Sequence, residues 1–124
     1  ILTLHARVTE DNQHIVNAEA LALLPDDAIL VNCARGGLVD YDAVCEALES
    51  GKLFAAAFDT LPEEPLPDDH CLRSFSNVTI TPHLGGASKG AAQLAARINA
   101  TDIAAFIAGD RPTYVANPEV LEGK

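Results

Sequence analysis

Basic residues are scarce in this chain of 124: 8 Lys plus Arg stand against 18 Asp plus Glu, a formal net charge of −10. Such a surface repels phosphate backbones and anionic headgroups, so neither nucleic-acid binding nor membrane attachment is expected. No apolar run approaches the ~20 residues that a bilayer span requires, and no signal-peptide pattern opens the sequence. Cysteine is confined to Cys33, Cys45 and Cys71, an odd set without CxxC spacing. That spacing predicts no disulfide framework and a reducing, cytoplasmic setting. There is no initiator Met and no polar lead-in: the chain opens on the strand-like run Ile1-Leu2-Thr3-Leu4, which reads as part of a longer polypeptide. With 48% apolar and 21% charged residues the composition is that of a folded globular chain. The length suits one domain or a piece of one.

Four short apolar runs stand out: Ile1–Leu4, Ala28–Cys33, Leu53–Phe58 and Val78–Thr81. Runs of this length with little polar alternation fit strands buried on both faces of a parallel sheet, although short buried helices read the same way. Between them lie helix signals. Asn17 can cap Ala18–Leu24 before Pro25, and Asp40 can cap Tyr41–Ser50 before Gly51. Ser88 can cap the alanine-rich Lys89–Ala108, where Leu94, Ala95, Ile98 and Phe106 suit a packed face and Gly109 ends the helix. The alternation predicts an α/β fold, a doubly wound parallel sheet with helices between its strands. Pro62–Asn77 is a proline- and acid-rich loop of the length that usually carries function. The tail from Asp110 reads as an extended segment.

In an open parallel sheet the carboxyl ends of all strands share one edge, and ligands bind in the crevice outside it. His5 follows the first run, Cys33-Ala34-Arg35-Gly36-Gly37 the second, Asp59 the third, and Pro82-His83-Leu84-Gly85-Gly86 the fourth. Topology alone therefore gathers two histidines, an arginine and an aspartate. Arg35 offers a planar, permanently charged fork suited to a carboxylate, or is a surface charge on a turn. His83 starts with a pKa suited to proton transfer near neutrality, or is a structural histidine. Glu64 is either a solvated acid or the carboxylate that orients His83 and raises its pKa. Asp59 can cap a loop, and His5 can close a strand end. His14 and His70 read as solvent-exposed, and a zinc site around His70 and Cys71 lacks ligand spacing.

The stretches Leu30-Val31-Asn32-Cys33-Ala34-Arg35-Gly36-Gly37-Leu38-Val39-Asp40, Ala57-Phe58-Asp59 with Glu63-Glu64-Pro65-Leu66-Pro67, and Asn77-Val78-Thr79-Ile80-Thr81-Pro82-His83-Leu84-Gly85-Gly86 resemble the D-isomer-specific 2-hydroxyacid dehydrogenases. The phosphoglycerate dehydrogenase and hydroxypyruvate reductase branch is similar. The likeness runs from about Ile1 to Ala108. It implies an oxidoreductase moving hydride between NAD(H) and a D-2-hydroxy acid/2-oxo acid pair, a small-molecule substrate. By position, Arg35 would bind the substrate carboxylate, His83 would be the general acid/base, and Glu64 would pair with it. His5, Cys33, Ala34, Arg35, Asp59, His83, Gly85 and Gly86 would hold NAD, and no metal is implied. Residues 1–88 would be the C-terminal half of the NAD-binding domain, the second half of a doubly wound, Rossmann-like parallel sheet, and 89–124 an interdomain return helix with a segment of the substrate domain. The family commonly forms homodimers.

Two departures bear on specificity. The family usually has proline two residues after the first histidine, where this chain has His5-Ala6-Arg7; the Arg7 charge keeps NADP open beside NAD. The commoner Asp-Val-Phe is Asp59-Thr60-Leu61. A glycine-rich GxGxxG turn is not in the sequence, so the chain alone is expected to bind NAD weakly and to be inactive. Alternatives from the same residues are an NAD-sensing, corepressor-like scaffold and a phosphite dehydrogenase-like enzyme. Glu64 argues against the formate dehydrogenase branch, where glutamine takes its place.

Overall fold

The computed structural model describes residues 1–121. Four strands, β1 (Leu2–Leu4), β2 (Ala28–Asn32), β3 (Leu53–Phe58) and β4 (Val78–Ile80), form one parallel sheet in that order. Each lies inside its apolar run, and β3 coincides with it. Leu4, Asn32, Phe58 and Ile80 are partners across the sheet, so the four strands end on a single line.

Helix α1 (Ala18–Ala22) joins β1 to β2, and α2 (Tyr41–Glu49) joins β2 to β3. Asn17 and Asp40 cap them by accepting from the Ala20 and Ala43 amides. α1 ends earlier than expected because Leu23 and Leu24 donate to Ala20 and Leu21, a tightened last turn before Pro25. Gly51, at φ 78°, terminates α2's turn in the left-handed conformation that favours glycine.

Right-handed crossovers that step one way along a sheet put their helices on one face. Leu30, Ala56 and Phe58 are accordingly buried with Leu21, Val44 and Leu48 of the helices. Burying a side chain the size of Phe58 or Leu30 contributes roughly 1.5–3 kcal/mol. Tyr41 packs its ring on Phe58, centroids 5.2 Å apart. The expectation of two buried faces is corrected: Ile29, Val31, Ala55 and Ala57 are half-buried and Phe54 is 61% exposed, because both crossover helices lie on the other side.

Three single turns of 3-10 helix interrupt segments read as loop: Gly36–Leu38, Cys71–Ser74 and Pro118–Leu121. The second carries a further correction. Cys71 is disulfide-bonded to Cys45 of α2, leaving Cys33 free and exposed. An odd cysteine count set no limit on one pair, and chain spacing gave no sign that the loop after β3 folds back onto α2. His70, expected at the surface, is half-buried; it caps that turn by accepting from the Leu72 amide and meets Tyr41 edge-on.

Ile1–Gly85 forms one compact unit and a second begins at Gly86. In the second, α3 (Lys89–Ile107) is capped by Ser88 and followed by Gly109 at φ 82°. None of its residues is buried. The expected packed face of Leu94, Ala95, Ile98 and Phe106 is therefore corrected: periodicity marks an apolar stripe and carries no information on what covers it. The tail is tied back to α3, where the Asp102 carboxylate accepts from the Thr113 and Tyr114 amides.

Candidate active site

His5, Cys33, Asp59 and Thr81 each follow the last residue of a strand, and those last residues are mutual partners. The four positions are therefore neighbours along the carboxyl edge, and the loops leaving them build the site.

The loop after β3 brings Glu64 to His83. Nδ1 of His83 lies 2.9 Å from Glu64 Oε2. A carboxylate only accepts, so Nδ1 carries the hydrogen and donates it, which leaves Nε2 as the nitrogen free to exchange a proton. The second carboxylate oxygen, Oε1, accepts from the Leu61 amide at 3.0 Å. The hydrogen bond from His83, reinforced by the one from Leu61, holds the Glu64 carboxyl below its usual range. Both side chains remain partly open to solvent.

Asp59 organises the other side. Oδ1 accepts from the Thr81 hydroxyl at 2.5 Å and the Leu84 amide at 2.8 Å, and Oδ2 accepts from the Gly85 amide at 2.8 Å. The Thr81 hydroxyl first, then the two amides, lower its pKa. These bonds clamp the chain on both sides of His83, whose φ of 54° is unusual for a residue with a side chain. Backbone held in such a region costs of the order of 1–3 kcal/mol and persists where neighbours over-determine it, as they do here. Gly85 lets the chain approach the carboxylate closely: a Cβ there would lie 3.0 Å from Asp59 Oδ2, so the carboxylate would have to give by a few tenths of an ångström.

Asp59, Glu64 and His83 line a cleft of about 470 Å³ together with Leu61, Pro65, Leu66, Ile80, Thr81, Pro82 and Arg73. Arg73 was not singled out in the sequence. It donates to the Leu66 and Pro67 carbonyls at 2.6 and 2.9 Å and so fixes the far wall. Thr81 was missed too. Its role becomes visible only with the register, which sets Phe58 against Ile80 and hence Asp59 beside Thr81.

Arg35 is not among the residues lining this cleft. It is exposed at the end of β2, with Nη1 donating to the Ala34 carbonyl at 2.7 Å. One of its five N–H donors is thereby engaged. Its turn nonetheless touches the Glu64 loop: a Cβ on Gly36 would fall 2.0 Å from the Leu61 carbonyl oxygen. His5 is exposed and shares a hydrogen bond with Thr3. Ala34 donates its amide to Asn32 Oδ1 at 3.0 Å. Gly86 opens the second unit, and a Cβ there would meet nothing within 4 Å.

Beneath the edge, Asn32 is wholly buried and Tyr41 nearly so. The Tyr41 hydroxyl donates to the Thr60 carbonyl at 2.8 Å, and burial pushes its pKa up to about 12. Cys45, His70 and Cys71 gather their ligand atoms within 4.8 Å of one another. The two sulfurs are bonded to each other and His70 Nδ1 accepts from Leu72, so this group does not present two thiolates to a metal.

Apolar walls with a few converging polar groups suit a flat, largely uncharged ring, and the two carboxylates of the rim do not suit a phosphate. A parallel sheet with such a site at its carboxyl edge defines an α/β protein of the Rossmann-like class, whose ligands sit in that crevice. Comparison with known proteins carries this further. Residues 1–85 match the sequence model of the D-isomer specific 2-hydroxyacid dehydrogenase, NAD binding domain, and the chain belongs to that family. It is 37% identical over 122 residues to a glyoxylate reductase of Thermofilum pendens, covering 98% of this chain and 36% of that protein. To a D-3-phosphoglycerate dehydrogenase of Methanocaldococcus jannaschii it is 43% identical over 124 residues, covering 99% of this chain and 24% of that one. The chain thus spans about a third or less of the length of these curated relatives. Among solved structures, D-lactate dehydrogenase with NAD+ from Lactobacillus jensenii superposes with a TM-score of 0.85 at 32% identity, covering 92% of this chain and 38% of that chain. No helix among the described residues is long and apolar enough to cross a membrane.

Proposed function

We propose that the protein carrying this chain is an NAD-dependent oxidoreductase that interconverts a D-2-hydroxy acid and its 2-oxo acid. The observation that carries the reading is the Glu64–His83 pair, 2.9 Å apart in the cleft at the carboxyl edge. Reducing a 2-oxo acid takes one hydride and one proton. NAD, when bound, supplies or accepts the hydride. His83 is the general acid/base: its Nδ1–H stays on Glu64 while Nε2 gives a proton to the carbonyl oxygen during reduction, or takes one from the hydroxyl during oxidation. Glu64 orients the imidazole and offsets the positive charge it carries in its acid form. Arg35 grips the substrate carboxylate through donors its bond to Ala34 leaves free.

Asp59, the backbone at Cys33 and Ala34, and Gly85 would hold the nicotinamide end. His5 is assigned to the adenosine side and Gly86 to the same cofactor by the family resemblance. The proposed boundary between cofactor domain and interdomain helix is 88/89, a reading supported by Ser88 capping α3. A homodimer is part of the proposal, and so is a cytoplasmic setting, since nicotinamide dinucleotides are kept inside cells. Support for that location no longer comes from cysteine usage.

The test is turnover by the full-length protein on a panel of 2-oxo acids, glyoxylate and hydroxypyruvate among them, with NADH and NADPH compared by absorbance. Consumption of reduced cofactor that depends on the oxo acid is expected. NAD binding without turnover on any 2-oxo acid would overturn the reading in favour of a cofactor-sensing scaffold, and turnover on phosphite alone would favour the other alternative.

A further inference from the structure

Arg35 needs a rigid base to act as a carboxylate fork, because its side chain is exposed. On its C-terminal flank the buried Gly36 and the Leu38 amide, which donates to the Arg35 carbonyl at 3.2 Å, already hold the turn. The structure supplies a further support beneath it. Asn32 is the last residue of β2 and is wholly buried. Its Oδ1 accepts from the Ala34 amide at 3.0 Å, and its Nδ2 donates to the Arg35 carbonyl at 2.9 Å. One side chain thus closes the chain on both sides of the peptide that links Ala34 to Arg35. Nδ2 also lies 3.4 Å from the Tyr41 hydroxyl, which in turn donates to the Thr60 carbonyl. A buried polar network of this kind persists only when satisfied, and it then fixes one geometry.

We propose that Asn32 is a positioning residue for substrate binding: it sets the backbone from which the Arg35 guanidinium reaches the carboxylate, and through Tyr41 it ties that turn to the segment after Asp59. The inference rests on the dehydrogenase reading and names a residue that acts through Arg35 without touching substrate.

Asn32→Asp tests it with the shape kept. The Ala34 amide keeps its acceptor, while the atom facing the Arg35 carbonyl and the Tyr41 hydroxyl no longer donates to either. In the full-length enzyme, kcat/KM for the 2-oxo acid is expected to fall about 10- to 100-fold, the scale of a slightly misplaced binding group. KM for NADH should move far less. The deciding measurement is a cycle with Arg35→Lys. Acting through Arg35, Asn32→Asp should cost less than about threefold in the lysine background, the signature of coupled residues. An equal loss in both backgrounds overturns the positioning role and leaves the dehydrogenase reading intact. A wild type that reduces no 2-oxo acid fails both. Should Asn32→Asp not accumulate as folded protein, Asn32→Ser, with room for a bridging water, enters the same cycle. If neither folds, Asn32 is a general core residue and the proposal falls.

Discussion

Gly36→Ala is the sharpest perturbation the structure offers. The new Cβ would lie 2.0 Å from the Leu61 carbonyl oxygen, 2.4 Å from its carbon and 2.9 Å from the Pro62 nitrogen. All three are backbone atoms, so no side chain can swing aside. Against an ordinary contact of 3.4 Å the shortfall at the oxygen is about 1.4 Å. Moving the Leu61–Pro62 peptide that far drags the preceding Thr60–Leu61 peptide with it, pulling the Leu61 amide off Glu64 Oε1 and straining the Thr60 carbonyl on the buried Tyr41 hydroxyl. Overpacking alone costs about 1–3 kcal/mol, and breaking a buried hydrogen bond adds roughly 1–3 more. A loss of about 2–6 kcal/mol is expected by urea denaturation, with turnover falling in whatever protein remains folded. Gly37→Ala is the control, since its Cβ meets only the Val8 Cγ2 methyl at 3.3 Å. It should cost under about 1 kcal/mol. Equal stability of the two variants would refute the steric argument.

His83→Ala should lower turnover by at least ~10² with little effect on the melting temperature, and retained turnover would remove His83 from proton transfer. Arg35→Lys should raise KM for the oxo acid, because one ammonium does not reproduce a bidentate fork; an unchanged KM would reassign Arg35 to structure. Asp59 and Glu64 both have lowered pKa values, by hydrogen bonds from Thr81, Leu84 and Gly85 in one case and from His83 and Leu61 in the other. Their stabilising effect is therefore complete above the ordinary carboxylate range and is lost as pH falls through the lowered values. Protection of the Leu84 and Gly85 amides, taken relative to the intrinsic exchange rate at each pH, should hold through the ordinary carboxylate range and be lost only below it; loss of protection already near pH 6 would contradict the clamp. Reducing the Cys45–Cys71 bond opens a loop with a sequence separation of 26. Chain entropy puts its worth at roughly 3.5 kcal/mol, so the melting temperature should drop in dithiothreitol, and an unchanged value would show that the bond adds no constraint.

The sheet was legible because buried parallel strands leave continuous apolar runs, and the caps because Asn17, Asp40 and Ser88 each sit one residue before a helical period. The carboxyl edge followed from topology, which is why His5, Arg35, Asp59 and His83 could be named. Three things had no linear signal. The Asn32–Tyr41 network joins residues nine apart through rotamers that no periodicity encodes. The Cys45–Cys71 bond depends on how a proline-rich loop returns over α2. The direction of the Arg35 side chain is set by a carbonyl one residue away, a local choice that leaves the backbone pattern unchanged.

That Leu4, Asn32, Phe58 and Ile80 fall on one line has a consequence for how such a protein diversifies. The segments leaving the line are tied to one another as well as to the sheet: the Tyr41 hydroxyl donates to the Thr60 carbonyl, and Cys45 is bonded to Cys71. The one between Phe58 and Val78 returns under its own ties, with the Ala56 amide on the Asn77 carbonyl and the Asn77 side chain on the Phe54 carbonyl. A change in that stretch therefore has to be matched in α2, to which it is bonded, and in the turn at Gly36, against which it packs.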